Sequence, residues 1–363
     1  MELKNLPSIF SAFRHGGFAT RRLGVLILLA LALALTPQAT RGAGISAVPN
    51  QVTGDEITDA QKLAVDKGLA WLASRQGADG GYMNHAGITA LCGLAFMEQG
   101  NLPTRGKYAD NVKKCLQFVE NSCQQSGLIC ANSDSGPMYG HGFATLFLGE
   151  IYGMTGDETI KEKLQRAVHL IETTQNPQGG WRYQPVPYDA DISVTICEIM
   201  ALRAAQDAGI KVEKSVRDKA IEYVLNCQND DGGFKYQSMG GPSGYARTAA
   251  GCASLYYAGV FESDNLKRGL DYLKQGVADG MMGQQERHYF YGNYYAGQAM
   301  FLAGGDYWKT YYPAIRDDLI ARQTAAGDWS GDFSQECDSA MALIVLQMPN
   351  RYLPVFNGKG PGS

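Results

Sequence analysis

Two aspartates, Asp189 and Asp191, close a proline-rich stretch in QNPQGGWRYQPVPYDADISVT (175–195), just ahead of an apolar run. Two carboxyls held together out of water can keep one proton, because desolvation and a like-charged neighbour both raise a carboxyl pKa. Such an acid can protonate an alkene, the other carboxyl acting as the neighbour that raises its pKa. The competing role is local: Asp is a preferred helix N-cap, and an acid suits the positive end of the helix dipole. Polar or titratable groups recur at corresponding points along the chain: His85; Tyr139 and His141; Ser193; Tyr245 and Arg247; His288, Tyr289, Tyr291 and Asn293; Glu336 and Asp338. His141 or His288 would orient the acid, while His85, Tyr139, Tyr245, Arg247, Tyr289, Tyr291, Glu336 and Asp338 would line a ligand site. For each histidine the alternative is a satisfied structural role beside a loop, and for the tyrosines a place in the core. The tract HYFYGNYY (288–295) could pack a hydrocarbon chain or stack on a sugar ring. A rim of Tyr, His, Arg, Asp and Glu also has the groups for acid–base chemistry on carbohydrate.

The elements that carry these residues repeat. WLASRQGADGGY (71–82), LIETTQNPQGGW (170–181), YVLNCQNDDGGF (223–234) and LIARQTAAGDW (319–329) each end a helical pattern in glutamine, then glycine, then an aromatic. FVENSCQQSGL (118–128) and LDYLKQGVADGMM (271–282) are degenerate copies. Gln76, Gln124, Gln175, Gln228, Gln275 and Gln323 therefore mark six repeats of about fifty residues. Each repeat reads as helix, glycine-rich turn, helix. The first helices (57–76, 108–123, 160–175, 213–228, 264–275, 311–323) carry apolar residues at three-to-four spacing among Lys, Glu and Arg. The second helices (88–97, 142–154, 193–205, 246–260, 293–305, 339–348) have few charges, so they must be covered on most faces. Six such pairs predict an all-α fold, an (α/α)6 toroid over 57–356 with the second helices as the inner ring. Glycine after the first helix supplies its left-handed end, and the glutamine can bond backbone groups freed there.

Arg14, Arg21 and Arg22 precede LGVLILLALALAL (23–35) and a small polar exit, which describes a secretory signal over 1–43, cleaved near Ala39 or Ala43 or kept as an anchor. Residues 44–56 read as a linker and 357–363 as a flexible tail. Without the signal, Lys+Arg falls from 32 to 27 and Asp+Glu from 36 to 35, a net charge of −8 that argues against a nucleic-acid partner. All eight cysteines follow the signal, where disulfides can form, and Cys123 with Cys130 is the best-placed pair. There is no CxxC or HxxxH spacing, so neither a metal nor another cofactor is implied.

The glutamine–glycine–aromatic repeats resemble those of squalene and oxidosqualene cyclases and of protein prenyltransferase β subunits, over essentially the whole region after the signal. Runs such as MYGHGFATLFLGEIYGM (138–154) and YGNYYAGQAMFLAGG (291–305) resemble exported bacterial proteins of planctomycete type named for this repeat. The resemblance implies an isoprenoid or other apolar small molecule as ligand. Class II terpene cyclases carry Asp-x-Asp-Asp at an inner helix start with the middle Asp as proton donor. Asp189 and Asp191 match the first two acids here, and Ile192 departs from the third. The large cyclases pair two barrels, so a single barrel implies an open cavity, a homodimer or an envelope protein partner. The alternatives are a non-catalytic toroid that presents a face to a partner, and an (α/α)6 enzyme acting on carbohydrate.

Overall fold

In the computed structural model of the chain, residues 56–131, 136–282, 288–331 and 333–357 are described. The expected signal segment, most of the linker and the last six residues lie outside them. Glu56, the last residue of the expected linker, is already packed, with its carboxylate accepting from Trp308 Nε1 at 2.8 Å.

Twelve α-helices follow in order among the described residues: α1 Asp59–Arg75, α2 Ala86–Met97, α3 Ala109–Asn121, α4 Pro137–Thr155, α5 Glu158–Thr174, α6 Ile192–Asp207, α7 Lys214–Asn226, α8 Tyr245–Tyr257, α9 Asp264–Ala278, α10 Tyr289–Ala303, α11 Gly305–Arg322 and α12 Gln335–Gln347. Even-numbered helices pack side by side in sequence, and α12 returns against α2 to close the ring; odd-numbered helices flank them outside. The burial follows the composition. Every residue of α10 from Phe290 to Phe301 is buried, whereas α3 buries only the stripe Val112, Cys115, Leu116, Phe118 and Val119. The fold is the expected all-α toroid.

Four helices start clearly earlier than expected: α4 at Pro137 rather than 142, α10 at Tyr289 rather than 293, α12 at Gln335 rather than 339, and α11. α11 starts at Gly305, not near residue 311, and runs on through Pro313. Gly304 (φ 64°) and Gly305 (φ 51°) turn the chain from α10 straight into α11 with no loop, a path that L side chains rarely take.

The glutamine turns do two jobs at once. Gln76 Nε2 donates to Gly80 C=O at 2.9 Å within its own turn and to Asn111 C=O at 3.1 Å on the next outer helix. Gln175 does the same with Gly179 and Val216, and Gln228 with Gly232 and Asn265. Gln323 reaches Gly327 and then Ala64 of α1, so the last turn is bonded to the first helix. Gly179 (φ 101°) lies so close to the next helix that a Cβ would stand 2.1 Å from Lys219 C=O. The aromatic seals the turn from the inside. Trp181 Nε1 donates to Ile171 C=O at 2.8 Å, Trp329 Nε1 to Leu319 C=O at 2.7 Å, and Tyr82 OH to Leu72 C=O at 3.0 Å. The backbone N–H of the aromatic then donates to a hydroxyl on the inner helix: Thr89, Thr195, Thr248 or Ser339.

The two degenerate repeats solve the same problem differently. In the second, Ile129 N–H donates to His141 Nδ1 at 3.1 Å, so imidazole stands where the other repeats have a hydroxyl. In the fifth, Asn293 Nδ2 donates to Met282 C=O at 3.1 Å, and Gln275 turns to Asp279 on its own helix. Cys123 and Cys130 flank the second turn as thiols rather than as the expected disulfide, their Sγ atoms directed at the Gln124 and Ala131 carbonyls.

The end of the ring that carries the glutamine turns and the starts of the inner helices is the mouth. At the lower end, a 3-10 turn at Pro354–Asn357 packs against α6 and α10.

Candidate functional site

Asp191 is the N-cap of α6 and is fully buried. Its Oδ1 accepts from Ser193 N–H at 2.9 Å, Ser193 Oγ at 2.6 Å and Val194 N–H at 3.0 Å. Its Oδ2 accepts from Tyr236 OH at 3.0 Å and lies 3.4 Å from Arg182 Nε. Burial pushes the Asp191 carboxyl above the usual carboxylate range; the Ser193, Val194 and Tyr236 donors and the Arg182 charge pull it back only in part.

Asp189, the expected like-charged neighbour, is itself engaged by a cation. It is paired with Arg182, which stands beside both acids and offsets its charge, and burial is the main cause of the upward shift at Asp191. Arg182 also lies over the rings of Tyr183 and Tyr236, 5.1 and 6.0 Å from their centroids. Tyr183 OH bonds Tyr236 OH, Tyr183 stacks on Tyr139, and Tyr139 OH bonds Ser193 Oγ. Tyr291 OH donates to Ser193 C=O at 3.0 Å. The result is one cluster that ties α4, α6 and α10 together under the loop 182–191. Ile192, which stands where cyclases have a third acid, is buried, and its N–H donates to Tyr236 C=O.

The other expected site residues lie elsewhere. Neither histidine proposed to orient the acid touches it. His141, in the second turn of α4, is buried against α5, with Nε2 3.2 Å from Ala167 C=O. Because Nδ1 already accepts from Ile129, the proton sits on Nε2, and burial pushes its pKa down to about 4. His288 begins α10 with a left-handed backbone, stacked on Phe333. It lines a small recess with Tyr245, Met282 and Asn293. His85 caps α2, with Nδ1 accepting from Gly87 and Ile88 N–H. Tyr289 turns outward to Asp318, under Arg322. Arg247 folds back on Ser243 C=O, Glu336 is held by Arg75 at 3.0 Å, and Asp338 accepts from Gly331 N–H at 2.8 Å.

Of the expected residues, the structure thus brings together Asp189, Asp191, Tyr139 and Tyr291, with Ser193. It adds three that the sequence reading did not single out: Arg182, Tyr183 and Tyr236. Their positions carried a signal. Arg182 and Tyr236 follow the turn aromatics Trp181 and Phe234 by one and two residues, where the chain must cross the mouth.

Below this cluster the axis of the ring is occupied by side chains. Phe143 of α4 meets Tyr294 of α10 edge-on across the ring at 6.1 Å, and Tyr294 and Tyr291 each pack edge-on against Tyr295. Tyr295 OH bonds Cys197 Sγ at 3.2 Å. Above it, Met83, Val186, Tyr188, Met239 and Phe333 are exposed on segments between a turn aromatic and an inner helix, and Met281 is exposed in the degenerate fifth turn; Tyr188 is 85% and Met239 88% exposed. Among the described residues no three His, Cys, Asp or Glu side chains converge to hold a metal ion.

Residues 148–318 match the family described as squalene–hopene cyclase C-terminal domain. The toroid superposes on type II terpene cyclase MstE from Scytonema with a TM-score of 0.56 and 14% identity, covering 82% of this chain and 100% of that one. The chain is thus similar to squalene cyclases over those residues and shares the toroid fold of the terpene cyclases. An 85-residue stretch of the squalene-cyclase-like chain is 35% identical to drimenyl diphosphate synthase from Streptantibioticus cattleyicolor, spanning 23% of this chain but only 15% of that protein. The same toroid also matches an α-1,6-mannanase of Salegentibacter, TM-score 0.57 at 8% identity over 80% of this chain and 98% of that one. Likeness at these identities is likeness of fold.

Proposed function

We propose that this squalene-cyclase-like toroid binds an apolar small molecule of isoprenoid type at its mouth and does not cyclise it inside the barrel. The observation that carries this reading is the division of the axis: exposed apolar side chains ring the mouth, while Phe143, Tyr291, Tyr294 and Tyr295 fill the space beneath. The rim suits a ligand that is driven from water by its hydrocarbon surface. Structures of MstE with geranylgeranyl dihydroxybenzoate and with merosterolic acid A are among the solved relatives, and they motivate the choice of ligand class. The export signal read in the sequence supports a cell-envelope setting for this binding.

A second reading is protonation of the ligand by Asp191. The upward shift of its carboxyl in a dry cluster favours it. Against it stands the geometry: donors approach both oxygens, and none of those bonds directs a proton into open space. The carbohydrate reading needs Asp191 and Glu336 to face each other across an open groove, and Glu336 is taken up by Arg75.

The test is extraction and mass spectrometry of whatever co-purifies with the protein from its host envelope, with Asp191→Asn and Tyr188→Ala/Met239→Ala variants alongside. A bound isoprenoid lost in the rim variant but unchanged in Asp191→Asn supports binding alone. A bound product replaced by its acyclic precursor in Asp191→Asn would establish the cyclase reading instead. No apolar ligand in any of the preparations would remove both.

A further inference from the structure

The mouth cluster ends in a hydroxyl oxygen at the surface. Asp191 takes donors on both oxygens, and Tyr236 OH gives its proton to Oδ2 at 3.0 Å. In the bond between Tyr183 and Tyr236 the proton therefore comes from Tyr183, and the Tyr236 oxygen accepts it. The row from Tyr183 through Tyr236 to Asp191 runs one way, each hydroxyl donating inward towards a buried acid. Its outer end is the Tyr183 oxygen, which has given its only proton and keeps lone pairs for accepting. Polarisation along such a row strengthens the outer acceptor. Tyr183 is 38% exposed, and its ring is fixed by stacking on Tyr139 and by Arg182 over its face.

Hydrocarbon surface lies on the same two segments. Val186 and Tyr188 follow Tyr183, Met239 follows Tyr236, and Gln237 Nε2 donates to Ala190 C=O at 3.0 Å to hold the segments together. The charge nearby does not suit an anion. Arg182 is paired with Asp189 and Asp191, Arg247 donates to Ser243 C=O, and Lys235 lies towards Cys227 at the end of α7. Two acids against one guanidinium leave the cluster negative, so an anionic head group would meet like charge.

We propose that the ligand is an isoprenoid alcohol, whose neutral hydroxyl donates to the Tyr183 oxygen while its chain lies along Val186, Tyr188 and Met239, and that a phosphorylated isoprenoid is disfavoured. This rests on the reading of the mouth as an apolar binding site and adds what selects the head group. Tyr236 and Asp191 act through Tyr183, because they set which way the row points.

The probes are farnesol, farnesyl methyl ether and farnesyl diphosphate, each titrated into the full-length protein by calorimetry. The alcohol should bind about five- to tenfold more tightly than the ether, which has no proton to donate, the effect of one hydrogen bond. The diphosphate should bind least. In Tyr236→Phe the Tyr183 proton is freed and can be given to the ether, so the advantage of the alcohol should vanish. The rim variant Tyr188→Ala/Met239→Ala should weaken alcohol and ether alike. Equal binding of alcohol and ether by the wild-type chain, or tightest binding of the diphosphate, overturns the head-group inference and leaves the apolar mouth standing. An alcohol advantage unchanged in Tyr236→Phe overturns it too. No binding of any probe, or binding untouched in the rim variant, removes the reading of the mouth and this inference with it. The wild-type comparison decides even if a variant fails to fold.

Discussion

The third and second repeats do the same structural job with different chemistry. In the third, Gln175 stitches its turn to α7, Trp181 seals it and Thr195 takes the tryptophan N–H. In the second, Ile129 fills the aromatic's place and His141 replaces the threonine, reaching on to Ala167 of α5. The difference teaches that what these two turns share is an acceptor for one buried N–H and a tie to the next outer helix. Residue identity is free where those needs are met, so a histidine at a helix start is no sign of catalysis by itself.

That comparison can be broken most forcefully at the aromatics. Trp181→Ala should cost about 3–5 kcal/mol, since it opens a cavity and removes the indole N–H bond to the Ile171 carbonyl. Urea unfolding measures it, and Ile129→Ala should cost less, about 2–4 kcal/mol.

His141→Leu comes next. Leaving the Ile129 N–H buried without an acceptor should cost about 1–3 kcal/mol, and His141→Thr should recover part of the loss if a hydroxyl serves as in the sister repeats. The imidazole also adds a pH signature. Its pKa is held down to about 4 in the folded chain, so the unfolded chain binds a proton first on acidification. Stability should fall from about pH 6.5 towards pH 4, and His141→Thr should flatten that slope in thermal scans.

Asp191→Ala should cost about 1–2 kcal/mol as a lost cap. Asp191→Asn, which keeps an acceptor for Ser193 and Val194, should cost less. A loss in Asp191→Asn as large as in Asp191→Ala would show that the charge near Arg182, not the cap, sets the value.

The smallest contrast lies in the glutamines. Gln323→Ala should cost about 1 kcal/mol through its bonds to Gly327 and Ala64. Gln275→Ala, at an exposed bond within its own helix, should be near neutral. Equal losses would contradict the distinction between stitched and degenerate repeats.

Most of the fold was legible because it rests on periodic, local signals: the turn spacing, the left-handed glycines and the contrast between charged and apolar helices. The two repeats that departed from the motif in sequence are the two that depart in bonding. The site was less legible. Asp191 could be placed at a helix start, but its partners come from the turn after Trp181 and the loop after Phe234. Tyr236 reaches Asp191 across 45 residues, and no local pattern announces such a contact. His141 misled because the sequence shows which residue begins a helix but not which way its ring points.

The bond from Gln323 to Ala64 removes the distinction between first and last repeat. An open stack of repeats needs special caps and can fray from either end; a closed one has neither. Chain order is then incidental to the architecture, and circular permutation becomes a natural operation on it. The turn between α4 and α5, where Gly156 has open space around it, is the place to cut. A chain rejoined elsewhere and opened there would keep every one of the glutamine stitches described above, including the one that now bridges its two ends.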